Sequence, residues 1–356
     1  MRRLWALPEA PRVVAERRID VRRSKMTVEN RKQPLPTRRD FISLGIGAFV
    51  VGAIPFAARG RTRLVRRTLP VMGTFGEIAV VHRDDEYAQG AIDAAFLELA
   101  RVESALTWFR PDSEIGRANR LAFSAPQGVS TETSRVLEAS LRWAGVTDGA
   151  FDPCLGRAVE LWDLGNRTQP PASAQVQRFA RRGLFQALEV GKSQGRDVVV
   201  FHEEDMGIDL GGIGKGYGVD RAVETLRTWG IQSALVNVGG DLYALGGSED
   251  GDPWKVGVRD PDDPGGLVTT LTLTDRAVAT SGDYHQFFDH GGKRYHHLLD
   301  PMTGAPSQSS LRSVTIAAES CMDADAGATT AFVTGVEKVQ SVMARVAPGM
   351  EVLHTA

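Results

Sequence analysis

The sequence predicts an α+β fold, with mixed or antiparallel strands and flanking helices enclosing one cleft. Three observations lead there. Short β-branched and aromatic runs, such as residues 198–201 and 234–238, read as buried strands. Longer segments, residues 84–106, 131–147 and 323–346, repeat apolar residues at helical spacing. Short motifs able to carry chemistry are scattered along the chain, so folding must gather them into one place. With 356 residues and 42% apolar composition, the chain is long enough for one large domain or two small ones.

The N-terminal 60 residues differ from the rest. Residues 1–40 hold twelve Lys and Arg against five Asp and Glu, whereas residues 60–356 hold 29 against 39. That acidic balance speaks against nucleic acid as a partner, because counterion release needs clustered Lys and Arg. Thr37-Arg38-Arg39-Asp40-Phe41-Ile42, followed by the apolar run of residues 43–58, has the order of a twin-arginine export signal. The run is short and glycine-rich for a spanning helix of ~20 residues. Export to the periplasm is therefore expected, with an uncleaved anchor in the inner membrane as the alternative, and no cysteine follows that would carry a lipid. Residues 1–36 are long for a signal's charged region, and a start at Met26 gives a more usual length. The expected division is a basic signal region over residues 1–60 and one folded domain over residues 61–356. Cys154 and Cys321 form no Cys-x-x-Cys pattern and read as two buried thiols.

Within the domain, residues 69–81 read as a strand punctuated by glycine. The helix of residues 84–106 turns Ala91, Ala94, Ala95, Leu97, Leu99, Val102 and Leu106 to one broad face. Trp108 and Phe109 precede a Pro-led turn in which Ser113 can cap a short helix. After the helix of residues 131–147, Asp152 stands before Pro153 and is held extended. That suits a presented carboxylate and, equally, an Asx-type turn. Residues 166–174 are a polar loop. A strand over residues 198–201 leads to the glycine-dense stretch of residues 207–220, and Val219, Ala222, Val223, Leu226 and Trp229 then mark a helix. The stretch is neither a P-loop, since Gly216 rather than Ser or Thr follows Lys215, nor a dinucleotide fingerprint. Its glycines let backbone approach a ligand closely. Residues 234–243 carry a buried strand into Gly239-Gly240-Asp241. Residues 250–266 read as a loop, Gly291-Gly292 as a hairpin turn, and residues 323–346 as one closing helix.

On that last helix Asp325 and Thr329 are four apart and share a face, offering hard oxygen ligands suited to Mg²⁺. An Asp near a helix start also serves the helix dipole, and a Thr one turn on can bond to its own backbone. His296 and His297 beside Asp300 offer a general acid or base with an orienting carboxylate.

The joint order of the segments is more specific than any one of them. Met72-Gly-Thr, residues 107–115 with Asn119, Gly149-Ala-Phe-Asp-Pro, Leu161-Trp, residues 209–217, Asn237-Val-Gly-Gly-Asp, Thr280-Ser-Gly-Asp-Tyr, residues 297–304 and Asp325-Ala-Gly-Ala-Thr329 together resemble the ApbE-type FAD:protein FMN transferase family. The resemblance covers residues 69–340. It implies an ApbE-like fold around a flavin-nucleotide cleft, with Mg²⁺ held by Asp325, Thr329 and the Gly212 carbonyl. It implies Lys215 at the FAD phosphates, Asp209 at the nucleotide, and Met72, Phe109, Ala150, Phe151 and Asp152 around FAD. His297 matches the histidine implicated in catalysis. Three positions depart from the family pattern: Phe109 for Tyr, Gly214 for Ala and Gly327 for Leu. The implied reaction moves FMN from FAD to a Thr or Ser hydroxyl of an exported or membrane flavoprotein and releases AMP. Hydrolysis of FAD to FMN and AMP, and a flavin carrier without phosphoryl chemistry, are the alternatives.

Overall fold

The computed structural model describes residues 49–51, 62–181, 183–263, 265–284 and 286–356. The twin-arginine pair, Met26 and residues 43–48 and 52–58 of the apolar run lie outside the described residues.

The first half contains β1 (Phe49–Val51), β2 (Arg63–Val71), β3 (Thr74–His82), α1 (Asp85–Leu106), α2 (Glu114–Leu121), β4 (Gln127–Gly128), α3 (Thr131–Val146), α4 (Gly156–Trp162) and α5 (Ser173–Val176). Next come β5 (Leu188–Ser193), β6 (Arg196–Phe201), α6 (Gly214–Thr228), β7 (Ala234–Val238), β8 (Asp241–Leu245), β9 (Trp254–Arg259), β10 (Leu267–Leu273) and β11 (Arg276–Gly282). The chain closes with β12 (Phe287–His290), β13 (Lys293–His296), β14 (Leu299–Asp300), β15 (Ala305–Pro306), β16 (Ser313–Ala318), α7 (Cys321–Thr334), α8 (Val336–Val346) and β17 (Glu351–Thr355).

A seven-stranded sheet in the order β17-β16-β11-β8-β7-β3-β2 organises these elements. Its ladders are all antiparallel, which settles the choice between mixed and antiparallel. Because strand side chains alternate, the sheet is apolar on both faces. Ile78, Val80, Val236, Val238 and Ile316 pack with Ile92, Leu99, Val219, Val223 and Phe332 from α1, α6 and α7. Ala79, Leu235, Leu242, Val278 and Ala317 turn the other way, onto Phe49, Trp254, Val256 and Val258 of the small β1-β9-β10 sheet. A second apolar cluster joins Ile115, Trp143, Phe151 and Phe201 to Ile208 and Ile213 of the glycine stretch. That stretch thus lies at the edge of two cores.

Sequence expectation and structure agree on α1, α3 and the α2 cap, where Ser113 Oγ accepts from the Gly116 N–H at 2.8 Å. Four segments differ. The single strand read at residues 69–81 is a hairpin, because Met72 and Gly73 both adopt positive φ and turn the chain. The loop read at residues 250–266 contains β9. The closing helix breaks at Gly335, whose φ of 87° lies in the left-handed region, even though apolar spacing continues across it. Leu97, assigned to the buried face of α1, is 74% exposed.

Candidate functional site

Two helices cross at the glycine stretch with backbone against backbone. A Cβ at Gly216 would come 2.3 Å from the Cys321 carbonyl oxygen, and one at Gly218 would come 2.8 Å from Met72 Sδ. Only glycine permits α6 to approach α7 so closely. The crossing is also pinned by charge: the Asp220 carboxylate on α6 accepts hydrogen bonds from the Cys321 and Met322 N–H groups at 2.7 and 2.9 Å. These are first-turn donors of α7 with no partner inside their own helix. Burial pushes Asp220 up to about 6, against those two N–H bonds.

The crossing brings Lys215 to the acidic face of α7. Its ammonium lies 3.4 Å from both Asp325 oxygens, 3.3 Å from the Gly211 carbonyl and 2.9 Å from Asp241 Oδ2. The Gly216 N–H donates to Asp325 Oδ2 at 3.1 Å. One turn further along α7, Thr329 Oγ1 lies 3.4 Å from Ser281 Oγ, and a Cβ on Gly212 would come within 3.0 Å of the Thr329 side chain. Lys215, Gly212, Asp325 and Thr329, predicted from separate segments, therefore meet around one turn.

Asp241 is the residue the sequence reading missed as a side chain. It opens β8 directly after Gly239 and Gly240, both at positive φ, and is 2% exposed, as is Asp325. The available signal was a carboxylate placed immediately after a tight glycine turn at the end of a buried strand. Burial pushes the Asp241 carboxyl up and neighbouring Asp325 adds to this, while Lys215 opposes; the balance is upward. For Lys215 burial pushes the ammonium down, but Asp241 and Asp325 outweigh it and hold the group above its usual range. Lys215 thus carries its charge in a half-buried place because Asp241 and Asp325 face it.

The donor set fits a hard cation. Among the described residues, no three His, Cys, Asp or Glu side chains gather into a metal-ligating group. The fit rests instead on a carboxylate, a hydroxyl and the carbonyl of a glycine packed on that hydroxyl's residue, all oxygen donors. Asp241 Oδ2 meets Lys215 off the hydrogen-bonding direction, which leaves a buried oxygen with acceptor capacity beside that set.

The remaining predicted residues take more varied positions. Asp209 Oδ1 accepts from the Gly211 N–H at 2.7 Å, and its own N–H donates to the Pro153 carbonyl at 2.8 Å. Burial raises the Asp209 carboxyl, with the Gly211 N–H and Lys215 opposing. Asn119 pairs with both backbone groups of Ile208, at 2.8 and 2.6 Å, and so holds the segment ahead of Asp209 in register. Asp152 adopts the Asx-turn reading: Oδ1 accepts from Cys154 N–H at 2.9 Å and Oδ2 from Phe185 N–H at 3.2 Å. Burial pushes it up to about 6. Ala150 and Phe151 are buried beside it, the latter in the second core. Met72 sits at the β2–β3 turn with its sulfur over α6. Phe109 is 77% exposed and stacks on Trp108, with ring centroids 4.2 Å apart.

The two adjacent histidines have different settings. His296 is buried, donates from Nε2 to the Ser307 carbonyl at 2.9 Å, accepts the Leu298 N–H at Nδ1 and lies edge-on to Phe332. Burial lowers its pKa, and with Nδ1 accepting and Nε2 donating the ring sits in the fold in its neutral form. His297 is half-buried, with its backbone N–H on the Gln286 carbonyl at 3.2 Å. Asp300, expected to orient a histidine, accepts from the Met302 N–H at 2.8 Å and shapes its own turn.

The sequence profile of the ApbE family matches residues 72–354. The chain is 34% identical over 282 residues to an FAD:protein FMN transferase of Vibrio cholerae, covering 77% of this chain and 82% of that one. It is 36% identical over 310 residues to one of Treponema pallidum, covering 83% and 85%. Among solved structures, the ApbE protein of Thermotoga maritima superposes with a TM-score of 0.73 at 30% identity, covering 82% of this chain and 94% of that one. The flavin transferase ApbE of Vibrio cholerae superposes with a TM-score of 0.70 at 32% identity, covering 82% and 93%. With the profile spanning most of the domain and the fold shared along nearly the whole length of these structures, the chain belongs to the ApbE family.

Proposed function

We propose that this chain transfers FMN from FAD to a Thr or Ser hydroxyl of a target flavoprotein and releases AMP. The meeting of Lys215, Asp325, Thr329 and the Gly212 turn supports this reading most directly, since phosphoryl transfer chiefly needs placement and charge stabilisation. In the reaction, the acceptor hydroxyl oxygen bonds to the FMN-side phosphorus while the bond from that phosphorus to the bridging oxygen breaks. The departing AMP carries the bridging oxygen and its negative charge. Lys215 lies against the phosphates, and His297 takes the proton of the attacking hydroxyl. Asp325, Thr329 and the Gly212 carbonyl would hold Mg²⁺, which supplies charge neutralisation at the phosphates when bound. Met72, Phe109 and the Ala150–Asp152 turn flank the flavin nucleotide, and Asp209 sits at its edge.

Incubating the protein with FAD, Mg²⁺ and an acceptor protein, followed by denaturing electrophoresis, tests this reading. Fluorescent flavin must remain on the acceptor after denaturation and AMP must appear in equal amount. AMP and free FMN with an unlabelled acceptor would assign the protein to FAD hydrolysis, and no AMP at all would leave only flavin carriage.

We further infer export by the twin-arginine route, on the strength of Arg38-Arg39 and the apolar run of residues 43–58, which places the acceptor among exported or membrane flavoproteins. Replacing both arginines by lysine should retain the protein in the cytoplasm; unchanged periplasmic delivery would overturn the assignment.

A further inference from the structure

Lys215 faces the same carboxylate that the proposed cation site requires. Its ammonium is equally far, 3.4 Å, from the two oxygens of Asp325, so it lies across the open edge of that carboxylate. The Gly216 N–H already takes one lone pair of Oδ2, which leaves the edge facing Lys215 as the place where a second positive charge would compete. The shorter contact of Lys215, 2.9 Å, is to Asp241 rather than to Asp325. Its side chain is 28% exposed on a flexible four-carbon stem, so the ammonium can move without disturbing the core.

We infer that Lys215 is an internal counterion that guards the cation site, held by Asp241 and Asp325 until an anionic diphosphate draws its ammonium away, so that nucleotide and divalent cation bind cooperatively. This rests on the cation and phosphate roles proposed above and adds an order to them. A dication at Asp325 would take over the charge that Lys215 now offsets there and leave the ammonium free for a diphosphate. A dication alone would meet the ammonium at short range, where like charges in a poorly solvated site repel strongly. The nucleotide removes that repulsion by giving the ammonium another partner. Linkage then requires that the cation tighten nucleotide binding by the same factor.

Binding of Mn²⁺ alone, followed by the spectroscopic signal of free Mn²⁺ on the full-length protein, tests the inference without turnover. Lys215→Met is expected to bind Mn²⁺ at least about fivefold more tightly than the unaltered protein in the absence of nucleotide, within the usual range of site-to-site coupling. Asp325→Asn should lose the site. Lys215→Gln serves as a second variant, and circular dichroism checks that each is folded. If the two lysine variants bind Mn²⁺ no better than the unaltered protein while Asp325→Asn loses binding, the guarding role is wrong and the cation site stands. If Asp325→Asn binds Mn²⁺ as the unaltered protein does, the cation site itself is wrong and the inference falls with it.

Discussion

Lys215 and Asp325 are 110 residues apart in the chain, yet the ammonium of one lies 3.4 Å from both carboxylate oxygens of the other. The contact exists because Gly216 lets α6 reach the backbone of α7, and Asp220 fastens the two helices one turn further on. Removing the lysine side chain leaves that helix crossing in place. Lys215→Ala is therefore expected to lower flavin transfer by at least about 100-fold, the scale for loss of one aligned charge stabiliser, while far-ultraviolet circular dichroism is unchanged. Transfer within a few-fold of normal would refute the role of Lys215.

The three glycines around this lysine should respond differently to the same methyl group. At Gly216 the new Cβ would overlap the Cys321 carbonyl, so Gly216→Ala should cost about 1–3 kcal/mol or more, together with activity. At Gly214 the nearest atoms are Leu210 Cβ at 3.6 Å and Leu106 Cδ1 at 3.9 Å, an ordinary contact. Gly214→Ala should thus be neutral or stabilise by up to about 1 kcal/mol. Gly212→Ala, 3.0 Å from a Thr329 side chain that can shift, should disturb activity more than stability. Urea unfolding of the three variants orders them.

Glu77 provides a pH dependence unconnected with the site. It is 5% exposed in the central sheet, and burial pushes its carboxyl from 4.5 up to about 7 against the pull of Arg66. Between those values the native protein holds a proton that the unfolded chain has released, so this group's contribution to stability falls as pH rises through the window. Glu77→Gln should stabilise the protein by up to about 3 kcal/mol at pH 8, with the gain fading to near zero below pH 4.5. Unfolding curves at the two ends of the window check it; a gain independent of pH would show that the carboxyl is not perturbed.

Phe109 is expected to act on binding alone. Exposed and stacked on Trp108, it adds little to the core, so Phe109→Ala should leave the melting temperature within about 2 °C while raising KM for FAD several-fold with kcat little changed. An equal loss in kcat would point instead to a role in the chemical step.

The parts of this molecule that were legible in sequence are those with local causes. The apolar period of α1, the hydroxyl of Ser113 ahead of α2 and the four-residue spacing of Asp325 and Thr329 each act within one or two turns. The misread parts depend on partners distant in sequence or on backbone angles. Leu97 keeps the helical period but stays 74% exposed, and Gly335 keeps it while its φ ends the helix. Asp241 reads locally as part of a turn; its meaning comes from Lys215 and Asp325, which only the folded sheet and helix crossing bring to it. The ligand-facing role of Asp152 was open between two readings, and its two backbone partners show the turn.

The carboxylate of Asp220 on the first amides of α7 has a further consequence for motion. Those amides belong at once to the scaffold and to the frame that aims Asp325, so the site cannot loosen locally while the crossing stays closed. Cys321 and Met322 should exchange their amide hydrogens as slowly as the central strands, and opening there should coincide with global unfolding.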